Sequence, residues 1–225
     1  MSADTGETLR TSAGDFPLEE YRLGLGGRTW SILHTRAVLS WDEESRYLNE
    51  AGTRMPYGVI LWPAAIALAH DLASRTLRDT RVLELGAGTG LPGIVAASLG
   101  ARVTQTDRNP VALHVCRQNG ERNAVAGVTY RQDNWAQWTD DTRYDWIVGA
   151  DILYAASMHP HLRAIMERCL APGGRVLLAD PFRATSLPLL EAMERDGWTI
   201  TMSKWTVGDT DAPRPVGVYE LAAPA

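Results

Sequence analysis

The chain has 225 residues, a net charge of −5 and 45% hydrophobic residues, a composition typical of one globular domain with at most a small appendage. No apolar run reaches the roughly 18 to 20 residues of a membrane helix, and no basic block occurs, so we expect neither a membrane nor a nucleic acid as partner. The polar N-terminal stretch MSADTGETLRTSAGDF lacks the apolar core of a secretion signal, and Cys116 and Cys169 are expected to be structural thiols in the cytoplasm.

The first part of the chain predicts a small β element ahead of the main domain. Residues 1–15 are expected to be a flexible tail, and residues 16–57 an N-terminal extension. Within the extension, EEYRLGLGGRTWSILHT predicts a β-hairpin around its glycines, and the polar stretch from residue 41 to 58 predicts irregular structure. A helix then follows with Pro63 in its first turn, where proline is tolerated.

From Arg81 onward, strand patterns alternate with helix patterns, which indicates βαβ units and a parallel sheet. The end of the chain differs, because WTITMSKW and VGVYELA are separated only by a turn-rich segment, which favours an antiparallel hairpin. Residues 58–225 are therefore predicted to form one α/β domain with a seven-stranded, mostly parallel sheet and an antiparallel last strand.

A glycine-rich turn follows the first strand of this sheet, in VLELGAGTGLPG. Its glycines, Gly86, Gly88 and Gly90, read G-x-G-x-G and depart from the G-x-G-x-x-G fingerprint that binds a dinucleotide pyrophosphate. An acid, Asp107, ends the second strand, where a ribose-binding carboxylate belongs; its alternative role is to cap the next helix. One ribose without a pyrophosphate points to S-adenosyl-L-methionine, and Glu84 is a candidate partner for the amino group of this cofactor.

With Asp107, VLELGAGTG resembles motif I of the class I (seven-β-strand) methyltransferases, which have a Rossmann-like fold. Three further pieces, YGVILWPAA, DNW and DILY, are similar to those of the family 16 methyltransferases. That family includes protein-lysine methyltransferases that act on chaperones, elongation factors and the electron-transfer flavoprotein β-subunit. The segment LADPFR resembles this last branch and its bacterial, nicotinamide N-methylase-like relatives.

The resemblance implies roles for particular residues. Trp62 would line the cofactor pocket, Asp133 and Trp135 would flank the adenine, and Ala150 would contribute backbone contacts. Asp151 and Tyr154 would lie beside the transferable methyl group as the catalytic pair; their alternative is a helix cap and a packed aromatic ring. Asp180 and Arg183 either shape a loop or face the substrate. The complete set of expected cofactor-binding residues is Trp62, Glu84, Gly86, Ala87, Gly88, Gly90, Asp107, Arg108, Asp133, Asn134, Trp135 and Ala150.

The implied reaction is transfer of a methyl group from S-adenosyl-L-methionine to a lysine side chain of a protein, with S-adenosyl-L-homocysteine as product. A carboxylate stabilises an ammonium ion and raises the pKa of the amine, so Asp151 is assigned orientation of the acceptor first and proton acceptance second. Two alternatives stay open: N-methylation of a small heteroaromatic amine, and a non-catalytic module that binds the cofactor or a partner. No metal is expected, since no metal-ligand spacing occurs, and a monomer is the default.

Overall fold

In the computed structural model, residues 2–12, 14–38, 40, 42–45, 57–208 and 213–224 are described. The predicted irregular stretch from residue 41 to 58 therefore lies largely outside the described residues. A three-stranded antiparallel sheet precedes the main domain, in the order β1-β2-β3. Its strands are β1 (Ser2–Thr11), β2 (Gly14–Leu25) and β3 (Arg28–His34).

The prediction of a flexible tail is wrong for residues 2–11, which form β1. This strand pairs with β2 from the Ser2–Tyr21 pair to the Thr11–Gly14 pair, with a shift in register between Asp4 and Glu7. Its composition is polar because most of its side chains face solvent. One apolar residue, Leu9, is buried with Leu18, Leu33, Val59, Ala112 and Val115, and a single buried position is too weak a pattern to predict a strand. The predicted hairpin of β2 and β3 is confirmed.

A two-stranded parallel pair, β4 (Arg36–Ala37) and β5 (Ile60–Leu61), lies between the N-terminal sheet and the main sheet along the chain. The main sheet has the strand order β11-β12-β10-β9-β6-β7-β8. Its strands are β6 (Arg81–Leu85), β7 (Arg102–Asp107), β8 (Val128–Gln132), β9 (Tyr144–Ala150), β10 (Leu170–Asp180), β11 (Thr199–Val207) and β12 (Arg214–Ala222). β12 runs antiparallel to both of its neighbours. The predicted fold is confirmed.

Helices cover both faces of the main sheet. They are α1 (Pro63–Ala73), α2 (Leu91–Ser98), α3 (Pro110–Arg122), α4 (His159–Cys169) and α5 (Ser186–Arg195). Strand β6 shows why two layers form: Val82 belongs to the cluster that contains α1 and α2, and Leu83 and Leu85 to the cluster that contains α4 and α5. Alternate residues of a strand point to opposite faces. The strand order reverses at β6, so the crevice beyond its carboxyl end is where an α/β sheet binds a ligand.

Asn119 of α3 and Asn123, which caps the C-terminus of α3, attach the N-terminal sheet to the main domain. The Asn119 side chain accepts a hydrogen bond from the Leu33 N–H (2.7 Å) and donates to the Leu33 carbonyl (3.1 Å), as a neighbouring strand would. Asn123, one helical turn later, does the same for Ser31, two residues earlier in β3. Asn119 also donates to the Thr89 carbonyl (2.8 Å) in the glycine-rich turn. One buried amide therefore joins the N-terminal sheet to the turn.

Replacing Asn119 by alanine is expected to lower the free energy of unfolding by about 3 kcal/mol, because it leaves buried backbone groups of β3 and the turn without partners. The measurement is urea unfolding followed by circular dichroism. Gln118→Ala is the matched control on the same helix, since the Gln118 Oε1 atom has no hydrogen-bond partner among the described residues. Equal losses in the two variants would show that Asn119 does not anchor the N-terminal sheet.

Candidate cofactor and methyl-transfer site

The glycine-rich turn between β6 and α2 has a backbone that only glycine adopts readily. Gly86, Gly88 and Gly90 have φ angles of +67°, +56° and +80°, in the left-handed region. At Gly90, a Cβ atom would also lie 2.7 Å from the Cys116 Sγ and 3.0 Å from the Gln105 Nε2. Ala87 is buried within the turn and donates its N–H to the Thr106 carbonyl (2.9 Å). The turn is therefore fixed against β7 and α3.

Asp107 joins this turn to the end of β7. Its Oδ2 accepts a hydrogen bond from the Gly88 N–H (3.1 Å), and its Oδ1 accepts one from the Asn109 N–H (2.8 Å). Burial raises the pKa of this carboxyl, while the backbone hydrogen bonds act in the opposite direction. A carboxylate has about four lone-pair sites, so the backbone N–H groups leave Asp107 with acceptor capacity for a hydroxyl group of a ligand.

Glu84 lies directly below the turn and is 1% exposed. Its Oε2 accepts hydrogen bonds from the Gly93 N–H (3.1 Å) in the first turn of α2 and from the Gln105 Nε2 (2.6 Å). Burial raises the pKa of Glu84 to about 8. Gly93 and Gln105 are not among the site residues that the sequence predicted. The available signal was the polar Gln105 in the strand next to β6, where it pairs directly with Glu84.

Three of the expected cofactor-binding residues, Arg108, Asp133 and Asn134, line one open cleft beyond β7 and β8. The cleft has a volume of 730 Å³ and is lined by Arg108, Asn109, Pro110, Gln132, Asp133, Asn134 and Gln137. The Asp133 N–H donates to the Asp107 carbonyl (3.0 Å), and its carboxylate pairs with the Arg131 Nε at 2.6 Å. The Asn134 side chain accepts a hydrogen bond from the Ala136 N–H (3.1 Å). The structure thus brings Arg108, Asp133 and Asn134 next to Asp107.

The two tryptophans of the expected site lie in different places. The ring of Trp135 is 3.3 Å from the position that a Cβ atom on Gly86 would occupy, so this ring borders the glycine-rich turn. Trp62 immediately precedes α1, packs against Val38 and Ile60, and has the Arg183 guanidinium carbon 5.9 Å from its ring centre. Trp62 therefore lies near Arg183, the arginine that pairs with the Asp151 carboxylate.

The end of β9 places Asp151 beside the turn. Ala150 is the last residue of β9 and pairs with Ala179 of β10. Asp151 has a φ of +54° and donates its N–H to the Ala179 carbonyl (2.8 Å). Its side chain is 4% exposed, and both carboxylate oxygens accept hydrogen bonds from Arg183: Oδ1 from Nε, and Oδ2 from Nη2 at 2.7 Å. Tyr154, three residues later, is 55% exposed.

Arg183 is the centre of a buried charge network that the sequence analysis did not predict. Besides Asp151, its Nη2 contacts the Glu44 Oε1 at 3.1 Å. Glu44 in turn pairs with the fully buried Arg214, which donates from Nη1 to the Ser40 carbonyl (2.8 Å). These residues are far apart in sequence and carry no local motif, so no spacing indicated their contact.

Asp180, the last residue of β10, shapes the loop that carries Arg183. Its Oδ1 accepts a hydrogen bond from the Arg183 N–H (2.7 Å), and its Oδ2 accepts one from the Ser186 hydroxyl (2.6 Å). Burial raises the pKa of the Asp180 carboxyl. Of the two expected alternatives, the geometry shows loop shaping for Asp180 and contact with Asp151 for Arg183.

Comparison with known proteins identifies the family of this site. Residues 41–188 match the family described as lysine methyltransferase, and this range holds nearly every residue of the site. The chain belongs to this family. S-adenosyl-L-methionine is accordingly its cofactor, as the sequence predicted.

Curated relatives in the family carry names of protein methyltransferases. The chain is 39% identical over 140 residues to protein N-lysine methyltransferase METTL21A of Danio rerio, covering 58% of this chain and 63% of the relative. It is 36% identical over 160 residues to EEF1A lysine methyltransferase 3 of Mus musculus, covering 64% and 68%. Histone-arginine methyltransferase METTL23 of Xenopus laevis is 39% identical, covering 60% and 61%. The matched region spans about three fifths of the length of the first two curated relatives.

Solved structures of low sequence identity share the fold of the family. Precorrin-6y C5,15-methyltransferase of Geobacter metallireducens has a TM-score of 0.58 and 19% identity, covering 71% of this chain and 87% of that chain. Magnesium protoporphyrin IX methyltransferase of Synechocystis, solved with bound S-adenosylmethionine, has a TM-score of 0.57 and 16% identity, covering 71% and 77%. At this identity the likeness concerns the fold alone.

None of the described helices is both long and apolar enough to cross a membrane. Within the described residues, no group of three or more histidine, cysteine, aspartate or glutamate side chains is arranged to hold a metal ion.

Proposed function

We propose that this protein transfers a methyl group from S-adenosyl-L-methionine to the side-chain nitrogen of a lysine in a protein. The observation that carries the proposal is the position of Asp151 and Tyr154. They follow β9, the strand directly beside β6, so the ends of both strands face one crevice. Ile152, between them in sequence, has its Cγ2 atom 2.9 Å from the position that a Cβ atom on Gly86 would occupy. Family membership and the names of the curated relatives support lysine as the acceptor.

The proposed cofactor contacts follow the geometry of the turn. Asp107 offers its remaining acceptor positions to the ribose hydroxyls, and Trp135 with the cleft around Asp133 takes the adenine. Glu84 faces the cofactor's amino group, directly or through water. The turn residues Gly86, Ala87, Gly88 and Gly90, together with Trp62, Arg108, Asn134 and Ala150, complete the proposed contacts.

The chemistry is an in-line displacement at a methyl carbon whose sulfonium leaving group is already activated. The nitrogen lone pair forms the new bond as the carbon–sulfur bond breaks and its electrons remain on sulfur. Catalysis therefore rests on alignment and exclusion of water, which are worth several kcal/mol. A lysine amine has a pKa of about 10.4 and must lose its proton first.

The exposed aromatic side chains in the loops after β9 and β10 agree better with a protein as methyl acceptor than with a small amine. Tyr154 and Phe182, in the loops after β9 and β10, are 55% and 44% exposed. Large exposed aromatic side chains around a reactive site are typical of a surface that meets a macromolecule. Methylation of a small heteroaromatic amine remains the second candidate, and it would need a more enclosed site around Asp151.

The function is tested with radiolabelled S-adenosyl-L-methionine and a host lysate divided into macromolecular and small-molecule fractions. Label in one protein band, lost in Asp151→Asn, is the expected result, and mass spectrometry of that band then distinguishes lysine from arginine. The matched control is Asp145→Asn. Asp145 is also an aspartate of this sheet, but it accepts a hydrogen bond from the Arg81 N–H at the N-terminal ends of β9 and β6, away from the proposed site. Label confined to the small fraction would favour the second candidate, and none despite cofactor binding would favour a non-catalytic module.

Cofactor binding is expected to release a proton from Glu84. Burial raises the pKa of this carboxyl to about 8 in the free protein, so it is largely protonated at pH 7. An ammonium group placed beside it favours the carboxylate and lowers that pKa. We expect release approaching one proton per S-adenosyl-L-homocysteine bound at pH 7, measured by titration calorimetry in buffers of different ionisation enthalpy. Glu84→Gln should abolish this release; its persistence would assign the proton to another group.

The same pKa shift predicts how the stability of the free protein depends on pH. The folded pKa of Glu84 is raised above the unfolded value of 4.5, so protonated Glu84 contributes stability fully below pH 4.5. That contribution is lost as the pH rises through about 8. Bound cofactor should remove this dependence, since it favours the ionised carboxylate.

We also propose a cellular compartment and a class of binding partner for this protein. Cys116 and Cys169 are free and buried, as thiols are in a reducing compartment, so we propose that the protein is cytoplasmic. A net charge of −5 disfavours binding to nucleic acid, which leaves a protein as the proposed partner.

A further inference from the structure

Asp151, the carboxylate beside the proposed acceptor position, is not a free negative charge. Arg183 donates to both of its oxygens, from Nε to Oδ1 and from Nη2 to Oδ2 (2.7 Å). This is the bidentate fork that makes arginine–carboxylate pairs geometrically specific. The Asp151 side chain is 4% exposed, so water does little to screen the pair.

A free carboxylate at this position would work against methyl transfer to an amine. It would attract the lysine ammonium and raise the amine's pKa, which lowers the fraction of neutral nucleophile. A carboxylate whose charge is balanced by a guanidinium still has lone pairs that can accept an N–H hydrogen bond. It can therefore orient the amine without stabilising the ammonium form as strongly.

We propose that Arg183 is a positioning residue that neutralises and aligns Asp151, so that the site accepts a neutral amine. This inference rests on the proposed function, which places the acceptor nitrogen beside Asp151. The Arg183 guanidinium contacts Asp151, Glu44 and the ring of Trp62, and the proposed effect on the acceptor is exerted through Asp151.

The charged groups around Arg183 come from the end of β9, the segment 42–45, β12 and the end of β10. Glu44, in the segment 42–45, contacts the Arg183 guanidinium and pairs with Arg214 of β12. Asp151, Glu44, Arg183 and Arg214 together carry two negative and two positive charges. Asp180 of β10 also faces Arg183, and it accepts hydrogen bonds from the Arg183 N–H and the Ser186 hydroxyl. Asp180 adds a third carboxylate to the cluster, and Asp151 is the one whose two oxygens both accept hydrogen bonds from the Arg183 guanidinium.

The backbone on both sides of the Asp151–Arg183 pair is held in an uncommon conformation. Asp151 has a φ of +54°, and Phe182, the residue before Arg183, has a φ of +61°. Neither residue is glycine, so each such angle is strained and persists only where the surroundings require it. Bidentate pairing across the ends of β9 and β10 supplies such a requirement.

The test compares two ligands of the protein, S-adenosyl-L-homocysteine and sinefungin, a cofactor analogue with an amine-bearing carbon in place of the methylsulfonium. The ratio of their dissociation constants at pH 8 reports how strongly the site attracts a cation at the transfer position. In Arg183→Gln, Asp151 loses its positive partner, so we expect sinefungin to gain about tenfold relative to S-adenosyl-L-homocysteine. Arg183→Lys, which keeps the charge, should restore most of the wild-type ratio.

Arg75→Gln is the matched control, because Arg75 also bridges two carboxylates with a similar side-chain exposure, 22% against 25% for Arg183. It contacts Asp71 and Glu220, away from Asp151, and should leave the ratio unchanged. The double variant Asp151→Asn, Arg183→Gln should also return the wild-type ratio.

An unchanged ratio in Arg183→Gln, with both ligands still bound, would overturn the inference, as would an equal shift in Arg75→Gln. Because the readout is a ratio, a general loss of affinity from weakened folding cancels. If the wild-type protein bound neither ligand, the failure would lie with the proposed function instead.

Discussion

Gly90→Ala is expected to lower the free energy of unfolding by about 3 kcal/mol and to weaken cofactor binding at least tenfold. Two separate costs add at this position. The φ of +80° is one that alanine adopts only with strain. The new methyl group would also lie 2.7 Å from the Cys116 Sγ and 3.0 Å from the Gln105 Nε2, so α3 or β7 must shift.

The two costs can be separated within this chain. Gly26, in the turn between β2 and β3, has a φ of +62° but open space around it, so Gly26→Ala reports the backbone strain alone, about 1 kcal/mol. Adding Cys116→Ala to Gly90→Ala removes the closest contact and should recover part of the loss. Urea unfolding gives the stabilities, and calorimetry with S-adenosyl-L-homocysteine gives the affinities. A loss at Gly90 no larger than at Gly26 would show that the turn has room for a side chain.

The sequence predicted the parts of this molecule that depend on local patterns. The glycine-rich turn, the acid at the end of β7 and the alternation of strands and helices each lie within a short stretch, where hydrophobic period and turn chemistry are readable. The antiparallel last hairpin was predicted for the same reason. A short connection between two strands leaves no room for a crossover helix.

Contacts between distant segments could not be predicted in the same way. The pairing of Asp151 with Arg183 depends on two loops after neighbouring parallel strands, and the link to Glu44 joins residues more than one hundred positions apart. Attachment of β3 to Asn119 likewise depends on a helix face meeting a strand edge. An isolated polar residue in a helix has many possible partners, so its type alone does not select one.

The predicted tail shows the converse limit. Strand β1 is polar because one of its faces is solvated, and its stability comes from backbone pairing with β2 and the burial of Leu9. Composition measures how much apolar surface a segment can bury, not whether a neighbouring strand is available to pair with it. A polar edge strand therefore has the composition of a flexible tail.

Asp107→Ala is expected to weaken binding of S-adenosyl-L-homocysteine about 100-fold, because a hydrogen bond to a charged group contributes roughly 1.5 to 3 kcal/mol and two such bonds to the ribose are proposed. The matched control, Asp145→Ala, also removes a carboxylate that accepts a backbone N–H, 2.8 Å from the Arg81 nitrogen, at the opposite edge of the sheet. Its affinity should equal that of the wild type.

A second ligand distinguishes ribose binding from a purely structural role of Asp107. In the wild type, the 2′-deoxy analogue of S-adenosyl-L-homocysteine should bind about tenfold more weakly than the parent compound, since one hydroxyl donor is missing. In Asp107→Ala this difference should vanish, because the acceptor is gone as well. Asp107 also accepts hydrogen bonds from the N–H groups of Gly88 and Asn109. Loss of these two bonds alone would weaken the binding of both ligands equally. Persistence of the tenfold difference in the variant would thus assign Asp107 to the turn and helix start, and the ribose to another residue.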